Sequence, residues 1–210
     1  MWPPEALEFL RELEDNNDSE WFRANRRRYD EHLVAPAREL ADKLSDLGTP
    51  HFFRPYNNLR FRPGPPIKEH LGVAIGYGAA GGFYFDLSLD GLLLAAGLHR
   101  PAADQLERFR AAIVDDRKSR GFERGIAAAR RGGLAPAEPE LKRAPRGYPT
   151  DHPRIDRLRM KQFTVSCRHE LAPWLHERSC DERVSTELRS ARSLVKWLAE
   201  TVGPSTRPRD

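Results

Sequence analysis

Between residues 51 and 99 the apolar residues recur at every second position, in short runs over 51–54, 57–62, 71–77, 82–88 and 92–99 separated by Gly, Pro and Asp. A period of two is the mark of a half-buried strand. Two of the connections, 78–81 and Asp90-Gly91, are hairpin-sized. Parallel neighbours would need a crossover of about a dozen residues or more between strands, so these strands are expected to pair antiparallel. That constraint favours α+β over a doubly wound parallel sheet.

On either side the period changes to that of a helix. Ala6, Phe9, Leu10 and Leu13 share one face of a helix entered through Pro3-Pro4. Asn16-Asn17-Asp18-Ser19 is read as its turn and the cap of the next helix, because short side-chain oxygens accept the first free N–H groups. Trp21, Phe22, Asn25 and Tyr29 lie along that second helix, and Pro36 kinks or restarts it. The apolar stripe then runs through Leu33, Ala37, Leu40, Ala41, Leu44 and Leu47 to Gly48. At this spacing the aromatic set Trp2, Phe9, Trp21, Phe22 and Tyr29 is read as core rather than as a ligand groove.

Beyond the strands, Pro101 opens a helix carrying Leu106, Phe109 and Ile113, and another around 121–131 stops at Gly132-Gly133. Residues 134–149, with four prolines, read as a loop. Asp151-His152-Pro153 looks like the start of a short helix with Ile155 and Leu158, 160–167 alternates like one more strand, and a last helix begins near Asp181. The expected architecture is α+β: a largely antiparallel sheet of five or six short strands, with an N-terminal helical pair and C-terminal helices packed on it. One globular domain over 1–202 and a disordered tail over 203–210 are expected.

Composition narrows the functional class. Two cysteines, Cys167 and Cys180, exclude a disulfide-rich secreted scaffold and suggest a reducing compartment. No run approaches the ~18 apolar residues of a membrane span, and Met1-Trp2-Pro3-Pro4-Glu5 does not read as a signal peptide. A soluble cytoplasmic protein with no membrane partner is expected. The net charge of +4 is uneven: residues 1–48 carry −5, 49–100 carry +2 and 101–210 carry +7. The densest basic stretch, 141–168, points to nucleic acid, anionic lipid or a phosphorylated small molecule, or to a solvated surface in a chain where 29 of 35 basic residues are Arg.

Two constellations are candidates for chemistry. Arg60 and Arg62 share one strand face, and Lys68 and His70 do likewise across a Pro-rich turn. Converging at that turn, a bidentate guanidinium, a point charge and a proton carrier can cradle a carboxylate or phosphate. Arg54 and Asn58 are placed with them, and Arg143, Arg146, His152 and Lys161 are placed opposite. The competing reading is a charged edge strand that discourages aggregation. The second constellation, Cys167, His169, His176 and Cys180, supplies four zinc-type ligands within fourteen residues. Its spacing is not a usual finger or ribbon spacing, so two unrelated thiols and surface imidazoles are expected there. Asp86 and Asp90, four residues apart, are assigned no role. The chain has no Gly-x-Ser-x-Gly, no phosphate-binding Walker loop, no Gly-x-Gly-x-x-Gly and no His-Glu-x-x-His.

Several stretches together resemble a bacterial and fungal family known as domain of unknown function 2461. They are Asn16-Asn17-Asp18-Ser19-Glu20-Trp21-Phe22, Gly81-Gly82-Phe83-Tyr84-Phe85, Ala96-Gly97-Leu98-His99-Arg100-Pro101, and Leu141 to Tyr148 with Asp151-His152-Pro153. The resemblance runs from about Leu7 to Leu198. It implies membership but no activity. The family's signature Arg-x-x-Arg-Asp-x-Arg-Phe, followed by a Lys/Asp-rich turn and Tyr-Lys-x-His, is matched by Arg54, Arg60, Phe61, Lys68 and His70. Asn57 and Asn58 stand where the family has Arg-Asp, Ile67 replaces the Tyr, and the turn is one residue shorter.

The expected function is binding of a small anionic, phosphorylated ligand in a basic pocket on the sheet, with His70 or His152 as proton carrier if a reaction is catalysed. The alternative is a non-catalytic nucleic-acid or protein interaction module using the basic 141–168 surface. No cofactor is expected.

Overall fold

Helix α1 (Pro4–Asp15) begins with proline in its first turn, where a missing N–H costs nothing, and buries Ala6, Leu7, Phe9, Leu10 and Leu13 on one face. The computed structural model that shows this describes residues 1–60, 63–78 and 80–206. Asp18 caps α2 (Ser19–Ala24) by accepting the Glu20 and Trp21 N–H groups at 2.7 and 2.8 Å. After α3 (Arg26–Tyr29) the chain meets Pro36, which has no N–H to give. The difficulty is absorbed by a π turn over Asp30–Val34, where the Ala35 N–H reaches back five residues to the Asp30 carbonyl. Helix α4 (Ala35–Lys43) then starts with Pro36 in its first turn.

The strands are β1 (Pro50–Phe52), β2 (His70–Gly78), β3 (Gly81–Ser88) and β4 (Gly91–Leu98). Helices α5 (Ala103–Val114) and α6 (Asp116–Arg131) follow, then β5 (Ala135–Pro136), α7 (Ile155–Leu158), β6 (Phe163–His169), a 3-10 turn over Pro173–His176, α8 (Ser179–Ser190) and α9 (Arg192–Thr201). The six strands form one sheet in the order β1-β2-β3-β4-β6-β5. Strand β1 pairs antiparallel with β2, placing His51 opposite Ala74, and β5 pairs antiparallel with β6. The fold is α+β, as the alternation and the short connections require. Among the described residues no helix is long and apolar enough to cross a membrane.

Three expectations are corrected. Of the run expected as a strand over 57–62, residues 57–60 are not one: among the described residues the segment's bridge is that of Tyr56 to Ile67, and Phe61 and Arg62 lie outside the described residues. The loop 134–149 contributes the two-residue strand β5. The single last helix is two helices, parted at Ala191.

The chain groups into two compact units, one of residues 1–75, 84–93 and 168–185, the other of 76–83, 94–167 and 186–210. In the first, Phe9 gathers Trp21, Phe22 and Tyr29 at centroid distances of 5.5, 6.5 and 5.8 Å, and Trp2 meets Phe85 of β3 edge-on at 6.1 Å. Of these, Trp2, Phe9, Phe22 and Phe85 are fully buried, and burial of each such side chain contributes about 1.5–3 kcal/mol. The buried Asp181 at the start of α8 accepts from the Lys43 ammonium at the end of α4.

In the second unit Phe109 of α5 stacks on Phe163 of β6 at 3.6 Å, and Phe122 and Trp197 close the cluster. The tail expected from Gly203 onward is tied down over 203–206. Asp104 accepts from Ser205, Thr206 and Arg108, and Arg108 also donates to the Val202 and Pro204 carbonyls. Residues 207–210 lie outside the described residues.

Gly97 fixes the approach of β4 to β6. Its φ is +118°, and a Cβ there would sit 2.1 Å from the Phe163 carbonyl oxygen. Gly97→Ala combines left-handed strain with overpacking and is expected to cost about 2–4 kcal/mol. Urea denaturation reads the loss, and an unchanged midpoint would refute the close approach.

Candidate functional site

The segment between β1 and β2 leaves the sheet and takes hydrogen-bond partners from its own turn and from side chains. The Pro55 carbonyl accepts the Lys68 N–H at 2.7 Å, and the Pro66 carbonyl accepts the Asn57 N–H at 2.8 Å. Asn57 Nδ2 donates to the Pro65 carbonyl at 2.9 Å. The buried Ile67 is gripped from both sides by one residue. Asn17 Oδ1 accepts the Ile67 N–H at 3.0 Å, while Asn17 Nδ2 donates to the Ile67 carbonyl at 3.0 Å and to Glu69 Oε1 at 2.8 Å. A side-chain amide, with its donor and acceptor side by side, thus stands in for a neighbouring strand.

This corrects the reading of Asn16-Asn17 as turn and cap. Asn16 does turn back onto the Glu12 carbonyl at 2.8 Å and Asp18 is the cap, but Asn17 serves the 54–70 segment.

What the segment presents is the wall of a cleft of about 420 Å³, contained within the first unit. Asn57, Pro65, Ile67, Lys68, Glu69 and His70 line one side. Asp86 and Ser88, two apart and therefore on one face of β3, line another with Asp90 and with Arg168 of β6. Asp86 is only 8% exposed. The Arg168 guanidinium lies 4.0 Å from its Oδ1 and 3.4 Å from Ser88 Oγ.

The charges perturb one another. Burial pushes the Asp86 carboxyl above its ordinary value, and His70, Arg168 and a hydrogen bond from Tyr84 hold it back. Burial also lowers the His70 imidazole, against the opposing pull of Asp86. Lys68 is lowered by burial and by neighbouring Arg54. The Tyr84 phenol is pushed far up by burial, by the Asp86 charge and by its bond to that carboxylate, so it stays a donor. A neutral imidazole beside a buried carboxylate, with two cations at the rim, can bind an anionic group and accept a proton from it or from a neighbouring hydroxyl.

Of the residues singled out in the sequence, Lys68 and His70 line this cleft. Arg54, Asn58 and Arg60 are exposed and do not. Arg54 lends its carbonyl to Lys68 Nζ at 2.8 Å, and Asn58 Oδ1 accepts the Arg60 N–H at 3.2 Å. Arg143, Arg146, His152 and Lys161 belong to the second unit and are not among the lining residues. His152 turns Nδ1 to the Arg154 N–H at 3.0 Å and so shapes the entry to α7, while Arg143, Arg146 and Lys161 are exposed.

Much of the basic stretch is committed to architecture. Arg154 donates to the Ile113 and Val114 carbonyls and pairs with Asp116. Arg157 holds Glu123 through two bonds of 2.8 and 3.1 Å. Arg159 donates to the Leu141 carbonyl.

The zinc-type quartet does not converge as a set of four. Cys167 Sγ donates to Glu187 at 3.3 Å, His169 Nδ1 meets Arg183 at 3.1 Å, and His176 Nδ1 faces the Trp2 carbonyl at 2.8 Å. Cys180 is fully buried, its thiol pushed up to about 11 by burial. Among the described residues, His176 and Cys180 join no group of metal-ligating side chains.

Asp86, Ser88 and Arg168 were missed as site residues. The signal was present in β3, where Tyr84, Asp86 and Ser88 put three polar groups on one face of an otherwise apolar strand.

Compared with known proteins, residues 5–197 match a family described as "Conserved hypothetical protein (DUF2461)". No curated protein and no solved structure matches the chain.

Two outcomes follow from this geometry. The His70 imidazole is expected to titrate below 6.5, and Asp86→Asn, which removes the charge that favours imidazolium, to lower it further. Because the folded value lies below the unfolded one, stability from this group is present above pH 6.5 and is lost as pH falls through the folded value. NMR titration of the His70 ring checks both, and a rise in the variant would refute the pairing. Asn17→Ala leaves the buried Ile67 N–H without its acceptor and its carbonyl with the longer bond from Asn57 Nδ2 at 3.3 Å, and should cost about 1–3 kcal/mol in chemical denaturation. Asn17→Asp should fare no better, since it loses the donor and sets a charge beside Glu69.

Proposed function

The chain belongs to the family of conserved hypothetical proteins DUF2461, and from that premise, which names no chemistry, we propose that it binds a small anionic ligand in the cleft of Lys68, His70 and Arg168, with His70 as proton carrier. The observation that carries the reading is Asp86, a carboxylate only 8% exposed that shares the cleft with an imidazole and a guanidinium. A buried charge is retained only where its partners are held in place, and such groups concentrate where proteins bind or transform ligands.

The cleft volume of about 420 Å³ suits a small molecule. Lys68 is partly withdrawn from water, which strengthens its attraction for an anion. His70, kept neutral by burial, is in the form that accepts a proton, and Asp86 then stabilises the imidazolium. Glu69, Asp86 and Asp90 in the lining oppose the long run of phosphates of a nucleic acid, and Arg154, Arg157 and Arg159 are engaged elsewhere. Both observations favour the small ligand over the interaction module.

The test is a thermal-shift and calorimetric panel of inorganic phosphate, small carboxylates and sugar phosphates at low salt. At about 100 times its dissociation constant a ligand adds roughly 2.7 kcal/mol of stability. Lys68→Ala and Arg168→Ala should each weaken binding tenfold or more, with Arg143→Ala unchanged. A flat panel overturns the reading. Response to oligonucleotides alone, lost with salt and with substitution of Arg143, Arg146 and Lys161, would replace it with an interaction surface.

A further inference from the structure

Beside the cleft stands an aromatic wall that the binding of a bare anion does not use. Phe53, just past the end of β1, is 41% exposed although it is anchored to β2 through its N–H bond to the Gly72 carbonyl at 3.2 Å. Its ring lies 6.2 Å from that of Tyr84 and 5.0 Å from that of His51. Tyr84 lies over bare backbone: a Cβ at Gly72 would come within 2.5 Å of the phenol oxygen, so glycine is what lets the ring lie there.

Both members of the wall are continuous with the cleft. Lys68 Nζ, in the lining, is 5.7 Å from the Phe53 centroid, and the Tyr84 hydroxyl bonds Asp86, also in the lining.

The lining has a second property that a simple anion leaves unexplained: three carboxylates, Glu69, Asp86 and Asp90, stand among its cations. Ionised carboxylates only accept hydrogen bonds, so their natural partners on a ligand are hydroxyl groups. An apolar ring face for an aromatic wall, hydroxyls for carboxylates and an anion for Lys68 and Arg168 together describe one chemical class. We infer that the ligand is a phosphorylated sugar, its ring laid against Phe53 and Tyr84, its hydroxyls on the carboxylates and its phosphate between Lys68 and Arg168. The inference rests on the anion-binding reading of the same cleft and adds to it the ring and the hydroxyls.

Calorimetry with inorganic phosphate, glycerol phosphate, ribose 5-phosphate and glucose 6-phosphate tests it. A ring phosphate is expected to bind at least tenfold tighter than inorganic phosphate or glycerol phosphate. Phe53→Ala, at an exposed position, should erase that preference while leaving the affinity for inorganic phosphate in place, and Phe53→Trp should keep it. If inorganic phosphate binds but ring phosphates bind no tighter, or if Phe53→Ala keeps the preference, the sugar inference fails and the anion reading stands. If no phosphate binds, both fail. Self-association abolished by Phe53→Ala, without any preference for ring phosphates, would assign the wall to a second copy of the chain and overturn the inference.

Discussion

A backbone segment that departs from a sheet still needs partners for its N–H and carbonyl groups, and at Ile67 the partners are side-chain amides, chiefly that of Asn17. Asn17 offers the amide donor and acceptor that an adjacent strand would otherwise offer, and it secures Glu69 with the same nitrogen. Asn57 does comparable work at Pro65 and Pro66. The three residues after this grip, Lys68, Glu69 and His70, form one side of the cleft, so their positions depend on the loop between α1 and α2. The resemblance to the family places an arginine where Asn57 stands. In this chain that position is occupied by a residue whose amide serves the backbone, which is architecture rather than chemistry.

The electrostatics of the cleft are those of a buried carboxylate and the groups that make it tolerable. Removing a carboxylate from water is costly unless charge and hydrogen bonds replace the lost hydration. Asp86 has a phenol hydroxyl donated by Tyr84, a guanidinium at 4.0 Å and an imidazole in the same cleft. The balance leaves the carboxyl raised and the imidazole lowered, so the two are brought toward each other on the pH scale.

The α+β class, the antiparallel strands and most helices were legible in the pattern of apolar residues, because periodicity records which face is buried. The run 57–62 misled because its alternation is real, while the backbone at Asn57 and Arg60 pairs with a tight turn and a side chain instead of a strand. The division of the last helix at Ala191 left no mark in its apolar stripe. At the site, Lys68 and His70 were legible because they are charged residues next to a turn. Asp86 was marked only by the polar face it shares with Tyr84 and Ser88, which does not tell a buried carboxylate from a solvated one, and Arg168 was hidden in a crowd of arginines of which several serve the fold. Asn17 was the least visible: an asparagine at a helix end is usually explained locally, and only the structure shows it reaching fifty residues away.

The arginines of the second unit bear on how relatives of this chain are to be compared. A guanidinium spans two carbonyls and a carboxylate at once, as Arg154 does for Ile113, Val114 and Asp116, and lysine, with a single ammonium, lacks that planar fork. Arginine retained across an alignment at 154, 157 or 159 is therefore explained by the masonry of loops and helix ends, and ranking positions by conservation alone would mistake that mortar for a binding surface. Invariance becomes informative about ligands at positions whose polar atoms the fold does not already consume.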